Sequence, residues 1–171
     1  MNLPYVTGAS CQLLVDEQYV TALRQAIQTS TRRCCCSLFI IDLKTRCNEN
    51  CVSDVVDDLS EAAWRGVDVR VLVGGSRSTF EIAEAAVIAV AHLEARSVQS
   101  RWLTAEEGVR GSHSKIVVAD EAVLIGSHNW SPGSFHSETQ DSVLVRSAAL
   151  AEYVVSLFDR RWEDARSPGH G

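Results

Sequence analysis

Lysine is scarce in this chain. Of sixteen basic residues in 171, only Lys44 and Lys115 are lysines and the rest are arginines. A strand lysine is ordinarily a solvated surface charge, but in a chain that otherwise uses arginine the bias marks Lys115 as chosen for itself. Positive charge is short overall, since twenty-two acidic residues give a net charge of −6. That balance excludes a global attraction to nucleic acid or an anionic membrane, so a polyanion would have to be held by a local cluster. Arg77, Arg101, Arg110 and Lys115 are the candidates, each with a plain solvated reading beside it. No run approaches about eighteen uninterrupted apolar residues, which excludes a spanning helix. The opening Met-Asn-Leu-Pro-Tyr-Val-Thr-Gly has neither the basic start nor the long apolar stretch of a secretory leader. A cytoplasmic protein with reduced thiols is the expectation.

Other absences narrow the chemistry. Gly74-Gly75-Ser76 lacks the glycine spacing and terminal lysine of a phosphate-cradling P-loop. Cys47 and Cys51 have no second pair at zinc spacing, so no metal or cofactor is expected. No internal repeat is visible, so any second copy of a site must come from another chain. The length and an ordinary apolar fraction of 46% suit one globular domain, expected over residues 1–166 with a short tail over 167–171.

What is present alternates between two periodicities. Gln12 to Val15 reads as a strand, and Asp16 to Gln28 as a helix with Tyr19, Leu23, Ala26 and Ile27 at helical spacing. Cys34 to Cys36 lead into an apolar run, Leu38 to Asp42, expected to be a buried strand. A helix is expected from about Val52 to Trp64, stopped by Gly66, then a strand from Val67 to Val73 and the longest helix from Phe80 to Ala95. Val98 to Leu103 and Val143 to Val145 read as strands, and Ala148 to about Arg161 as an amphipathic helix. This order predicts an α/β fold, a mixed central sheet with helices on both faces.

The chemistry concentrates in His113-Ser-Lys115-Ile-Val-Val-Ala-Asp120 and, one short strand later, Gly126-Ser127-His128-Asn129. Along an extended chain His113 and Lys115 project to the same side while Ile116 and Val118 point into the core. The run Ala122 to Ile125 can return antiparallel through a turn at Ala119-Asp-Glu, bringing Gly126 to Asn129 back beside His113. A phosphodiester gains negative charge on its non-bridging oxygens at a pentavalent transition state, so fixed donors there lower the barrier. Lys115 and Asn129 suit that task. A neutral imidazole can attack phosphorus and split one displacement into two, which makes His113 the candidate nucleophile. Ser114, Gly126, Ser127, Arg77 and Arg110 are further candidates for holding phosphate. Asp120 has an equal reading as a turn former. Trp130 reads as packing rather than as a stacking platform for a base.

H-x-K-x-x-x-x-D followed by G-S-x-N resembles the phospholipase D superfamily. The resemblance implies a mixed sheet flanked by helices, with two motifs meeting across a twofold axis, one histidine attacking and the other protonating the leaving group. This chain carries one motif, as do the short members that build the site by homodimerising, among them bacterial nonspecific endonucleases and a cardiolipin hydrolase/nuclease type. The family usually has six residues between the Asp and the Gly, whereas five separate Asp120 from Gly126. It also carries a carboxylate downstream of the Asn that orients the nucleophile. Glu138 is the first choice for that role and Asp141 the second. Gln140 lies nearest the usual spacing, but an amide cannot stabilise imidazolium as a carboxylate does. The expected function is a metal-independent phosphodiesterase, foremost a nuclease working as a homodimer. A phospholipid hydrolase and a catalytically idle nucleic-acid-binding module are the alternatives.

Overall fold

A computed structural model describes residues 5–44, 51–75, 79–104 and 111–165. Seven strands form one sheet: β1 (Ser10–Val15), β2 (Arg33–Leu38), β3 (Asp68–Val73), β4 (Gln99–Trp102), β5 (Lys115–Ala119), β6 (Ala122–Gly126) and β7 (Asp141–Arg146). Their spatial order is β1-β7-β6-β5-β2-β3-β4. β2, β3 and β4 run parallel, while β2-β5, β5-β6, β6-β7 and β7-β1 pair antiparallel, so the sheet is mixed. The helices are α1 (Gln18–Thr29), α2 (Val52–Trp64), α3 (Phe80–Ala95), a short α4 (Pro132–His136) and α5 (Ala148–Asp164).

Alternation along the strands produces two cores. Cys34, Cys36, Val69, Val71, Val117 and Leu124 face α1, α2 and α3, where they meet Leu23, Ile27, Leu59 and Leu93. Cys35, Leu72, Val118 and Val123 face the other way and meet Val154, Val155, Phe158 and Trp162 of α5. Helices therefore cover both faces, as the sequence predicts. α1 is tied to α2 by the Arg24 guanidinium, whose Nε donates at 2.6 Å to the buried Asp58 carboxylate, and by Gln28, which donates at 2.9 Å to the same group. Two pairings saturate that carboxylate, which is how a buried charge avoids its desolvation cost.

α2 and α3 begin and end where the sequence reading places them, α2 stopped by Gly66. β2 does not: its strand is Arg33–Leu38, so the three cysteines form it and the run after Leu38 leaves the sheet. Small buried thiols behave as hydrophobes, and their tight fit between β3 and β5 decides the register. α4 went unseen, although Ser131 caps it by accepting from the Ser134 N–H at 3.2 Å and Pro132 fills its first turn, a local signature of a helix start. Cys11, Cys34, Cys35 and Cys36 are free thiols, but Cys51 is disulfide-bonded, which corrects the expectation of thiols reduced throughout. No helix among the described residues is long and apolar enough to cross a membrane.

Candidate active site

One transverse row crosses the sheet near its upper rim. Trp102 pairs with Val73, Val73 with Leu38, Leu38 with Lys115, and Gly126 with Ser142. The hairpin register Ile116↔Ile125 carries Lys115 opposite Gly126, closing the row. Just above it lie Gly74, Phe39, His113, Ser114 and Ser127, so residues far apart in sequence share one edge. The two-residue turn at Asp120 and Glu121 sets this register, and the hairpin reading of the sequence holds.

His113 is exposed and precedes β5. Its Nδ1 lies 3.2 Å from Lys115 Nζ, which also donates to the His113 carbonyl oxygen at 3.1 Å. The imidazole rests on the Phe39 ring, centroids 4.1 Å apart. Burial pulls the Lys115 ammonium below its ordinary pKa. With Lys115 donating to Nδ1, the neutral ring carries its proton on Nε2. Asn129 buries its Oδ1 with no hydrogen-bond partner among the described residues. His113 and Lys115 thus stand together on the rim, and Asn129 lies three residues beyond the end of β6, the strand paired with β5.

The other predicted residues fall elsewhere or are already engaged. Asp120 sits past the far end of β5 from Lys115. One carboxylate oxygen accepts from the Thr31 N–H at 2.8 Å and hydroxyl at 3.1 Å, the other from the Arg32 and Arg33 N–H groups at 2.9 and 3.1 Å. Burial would raise its pKa, but these donors outweigh burial and hold it below the usual carboxylate range. Asp120 also adopts a left-handed backbone, φ 51°. Of its two sequence readings, the turn former is the one these contacts favour, with the carboxylate anchoring the entry of β2. Ser127 accepts from the Asp141 N–H at 3.1 Å and donates its single hydroxyl proton to the Gln140 side-chain oxygen. It has no proton left for a phosphate in this arrangement. Gly126 is required by packing rather than by ligand approach: a Cβ there would meet Ser142 Oγ at 1.9 Å and Ser142 Cα at 2.4 Å.

Glu138 makes its hydrogen bonds to residues other than His113. Its backbone N–H closes onto the Gly133 carbonyl at 2.9 Å at the end of α4, and its carboxylate accepts from Ser134 Oγ at 3.1 Å and Gln140 Nε2 at 3.0 Å. Gln140 in turn is pinned to the β1-α1 turn, its N–H donating to Asp16 Oδ1 at 2.9 Å. Among the described residues, no carboxylate pairs with His113. Ser114 Oγ accepts from Arg161 Nη1 of α5 at 3.4 Å, a contact that sequence spacing could not reveal across 47 positions. Arg101 donates at 2.6 Å to the Trp162 carbonyl and lies over the Trp162 ring, so it fastens β4 to α5. Arg77 and Arg110 lie outside the described residues.

His128 and Trp130 belong to the scaffold. His128 is fully buried, stacked on Tyr19 at 4.1 Å, its Nε2 on the Asp16 carbonyl at 3.1 Å and its Nδ1 on Ser142 Oγ at 2.7 Å. Burial holds its pKa below the ordinary value. Trp130 is buried and donates to the Tyr19 hydroxyl at 3.2 Å, which confirms its packing role.

The family model described as cardiolipin synthase, PLD-like domain, matches residues 23–162, most of the chain. The chain belongs to the phospholipase D-like family. It is 26% identical over 131 residues to a probable phospholipase D of Caenorhabditis elegans, a match covering 67% of this chain and 24% of that protein. The chain thus spans about a quarter of the length of that curated relative. Among solved structures it is similar to Nuc, a phospholipase D family member of Salmonella typhimurium, with TM-score 0.76 and 18% identity over 93% of this chain and 97% of that one. NucT of Helicobacter pylori is matched with TM-score 0.69 and 13% identity over 93% and 99%. At those identities the two structures establish the shared mixed-sheet fold.

Proposed function

We propose that the protein is a metal-independent phosphodiesterase that cleaves nucleic-acid phosphodiester bonds through a phosphohistidine on His113, with two chains supplying one histidine each. The observation that carries this reading is the rim pair, an exposed imidazole with the Lys115 ammonium 3.2 Å from its Nδ1, beside which the motif supplies Asn129, whose buried Oδ1 has no hydrogen-bond partner among the described residues. Attack needs a lone pair on Nε2. When a phosphate draws Lys115 Nζ onto its own oxygen, Nδ1 is released to carry the ring proton and Nε2 becomes the nucleophile. The Nε2–P bond forms, the P–O bond to the leaving group breaks, and the departing oxygen takes a proton from the imidazolium of the second chain. Water then attacks phosphorus, gives a proton to that second imidazole and breaks the N–P bond, which restores both rings. Lys115 and Asn129 hold the charge that develops on the equatorial oxygens.

The nearly end-to-end match to the Nuc chain favours a reading in which one motif of this length pairs with that of a second copy, which supplies the second histidine. Phospholipid as substrate is the second reading, favoured by the phospholipase D name of the curated relative and the family description. The third, an idle binding module, draws on the missing carboxylate partner of His113. The deciding experiment offers labelled DNA, RNA and cardiolipin vesicles in EDTA to the wild type and to His113→Ala. Nucleic-acid cleavage by the wild type alone, with a trapped alkali-stable phosphohistidine, supports the proposal. Lipid cleavage without nucleic-acid cleavage reverses the substrate, and binding without turnover leaves the idle module.

A further inference from the structure

Phe39 stands where β2 gives way to the rim, outside every motif that the sequence singles out. Its half-buried ring lies under His113 with the planes tilted 37°, and its centroid is 5.1 Å from Lys115 Nζ. The backbone beneath is fixed. A Cβ on Gly74 would come within 2.9 Å of Phe39 Cα and 2.6 Å of the Ser112 carbonyl oxygen, so the end of β3, Phe39 and the lead-in to β5 are pressed together with no slack. His113, by contrast, is held by little: Lys115 supplies its one side-chain hydrogen bond among the described residues. An imidazole with two free torsions and a single polar contact needs a surface to define its plane.

We infer that Phe39 is a positioning residue of the site, its ring face setting the plane of His113 and holding Lys115 Nζ over the same surface so that both address one phosphate. The inference rests on the proposed reaction. An aromatic face is negative at its centre, so it attracts the ammonium and also an imidazolium, and it packs against the neutral imidazole through dispersion. It therefore serves His113 in both charge states. A carboxylate would favour the protonated one. In a shared site where either histidine must be able to attack or to donate, an uncharged plate fits both duties.

The test uses the whole chain with Phe39→Leu, Phe39→Tyr and Phe39→Trp, a generic diester such as bis(p-nitrophenyl) phosphate, and proton NMR of the His113 ring, assigned by its loss in His113→Ala. Phe39→Leu should lower kcat by about ten- to a hundredfold with little change in KM, the effect of misplacing a reacting group by a fraction of an ångström. Tyr should restore most of the rate. The His113 ring protons, shifted upfield by the Phe39 ring current, should move downfield in the Leu variant. Unchanged kcat in Phe39→Leu, a loss confined to KM, Tyr no better than Leu, or unmoved His113 resonances would each overturn the inference. A wild type that hydrolyses no diester overturns the reaction and the inference together, whereas an active wild type beside an indifferent Leu variant overturns the inference alone.

Discussion

The two ends of the β5-β6 hairpin carry residues of the same short motif and are built on opposite principles. At the lower end the Asp120 carboxylate accepts four hydrogen bonds from Thr31, Arg32 and Arg33, three of them from backbone N–H groups. At the upper end His113 is exposed and touches Lys115 and Phe39. A saturated carboxylate has nothing left to offer a substrate, and an under-bonded imidazole contributes little to the fold. The motif therefore places a clamp and an exposed imidazole seven residues apart, up to about 23 Å at about 3.3 Å per residue of extended chain.

The largest expected effect belongs to the upper end. His113→Ala should lower phosphodiesterase activity by about a thousandfold or more while leaving the melting temperature nearly unchanged, because an exposed side chain with one polar contact adds little stability. Loss of thermal stability comparable to that of an Asp120 variant would erase the contrast. Lys115→Ala and Asn129→Ala should each cost on the order of a hundredfold in kcat, as removal of a transition-state donor does, again with small thermal shifts. Mixing His113→Ala with wild-type chains sharpens the upper-end claim. Mixed dimers lack one of the two histidine roles, so specific activity should fall faster than the wild-type fraction, and a strictly proportional fall would break the shared site.

The lower end should behave in reverse. Asp120→Ala strips partners from three N–H groups and a hydroxyl, and is expected to destabilise the chain by about 2 to 3 kcal/mol in denaturant titration. Its activity per folded molecule should stay within a few-fold of wild type, and a hundredfold loss in fully folded protein would return Asp120 to the catalytic set. The smallest effect is in pH. Asp120 is held below the ordinary carboxylate pKa in the folded chain, so its contribution is complete above about pH 4 and is lost as the pH falls through the depressed folded value. Between about pH 5 and pH 2 the wild type should therefore lose more stability than Asp120→Asn, and parallel curves would show that the clamp does not titrate.

Much of this was legible from local pattern. α2 announces itself by periodicity and by Gly66, α3 by a long run of helix-forming residues, and the hairpin by two apolar runs around a turn. What escaped was set by tertiary placement. Cys34 to Cys36 read as a prelude to a strand because thiols carry a weak β signal, although between β3 and β5 they are the strand. Asp120 could be seen at a turn, but the partners that decide its role come from residues 31–33, some ninety positions away. Glu138 was chosen for its charge, and the α4 turn then draws it to Ser134 and Gln140 instead. Phe39 carries no motif, and only the sheet order brings it under His113.

The thiols of β2 have a further consequence for how this chain can be watched. Cys34, Cys35 and Cys36 are each at most 1% exposed, and burial pushes the Cys35 thiol up to about 12 and raises that of Cys36 well above the ordinary range. A group that is both shielded and held protonated is inert to alkylating reagents until water reaches it. Because the three alternate between the two cores of the central strand, no local fraying at an edge can uncover them together, whereas the exposed Cys11 on β1 is open to reagent at all times. Alkylation of Cys11 then marks time at the surface, and simultaneous alkylation of the three central thiols counts each opening of the whole sheet, giving the chain a built-in clock for its own unfolding.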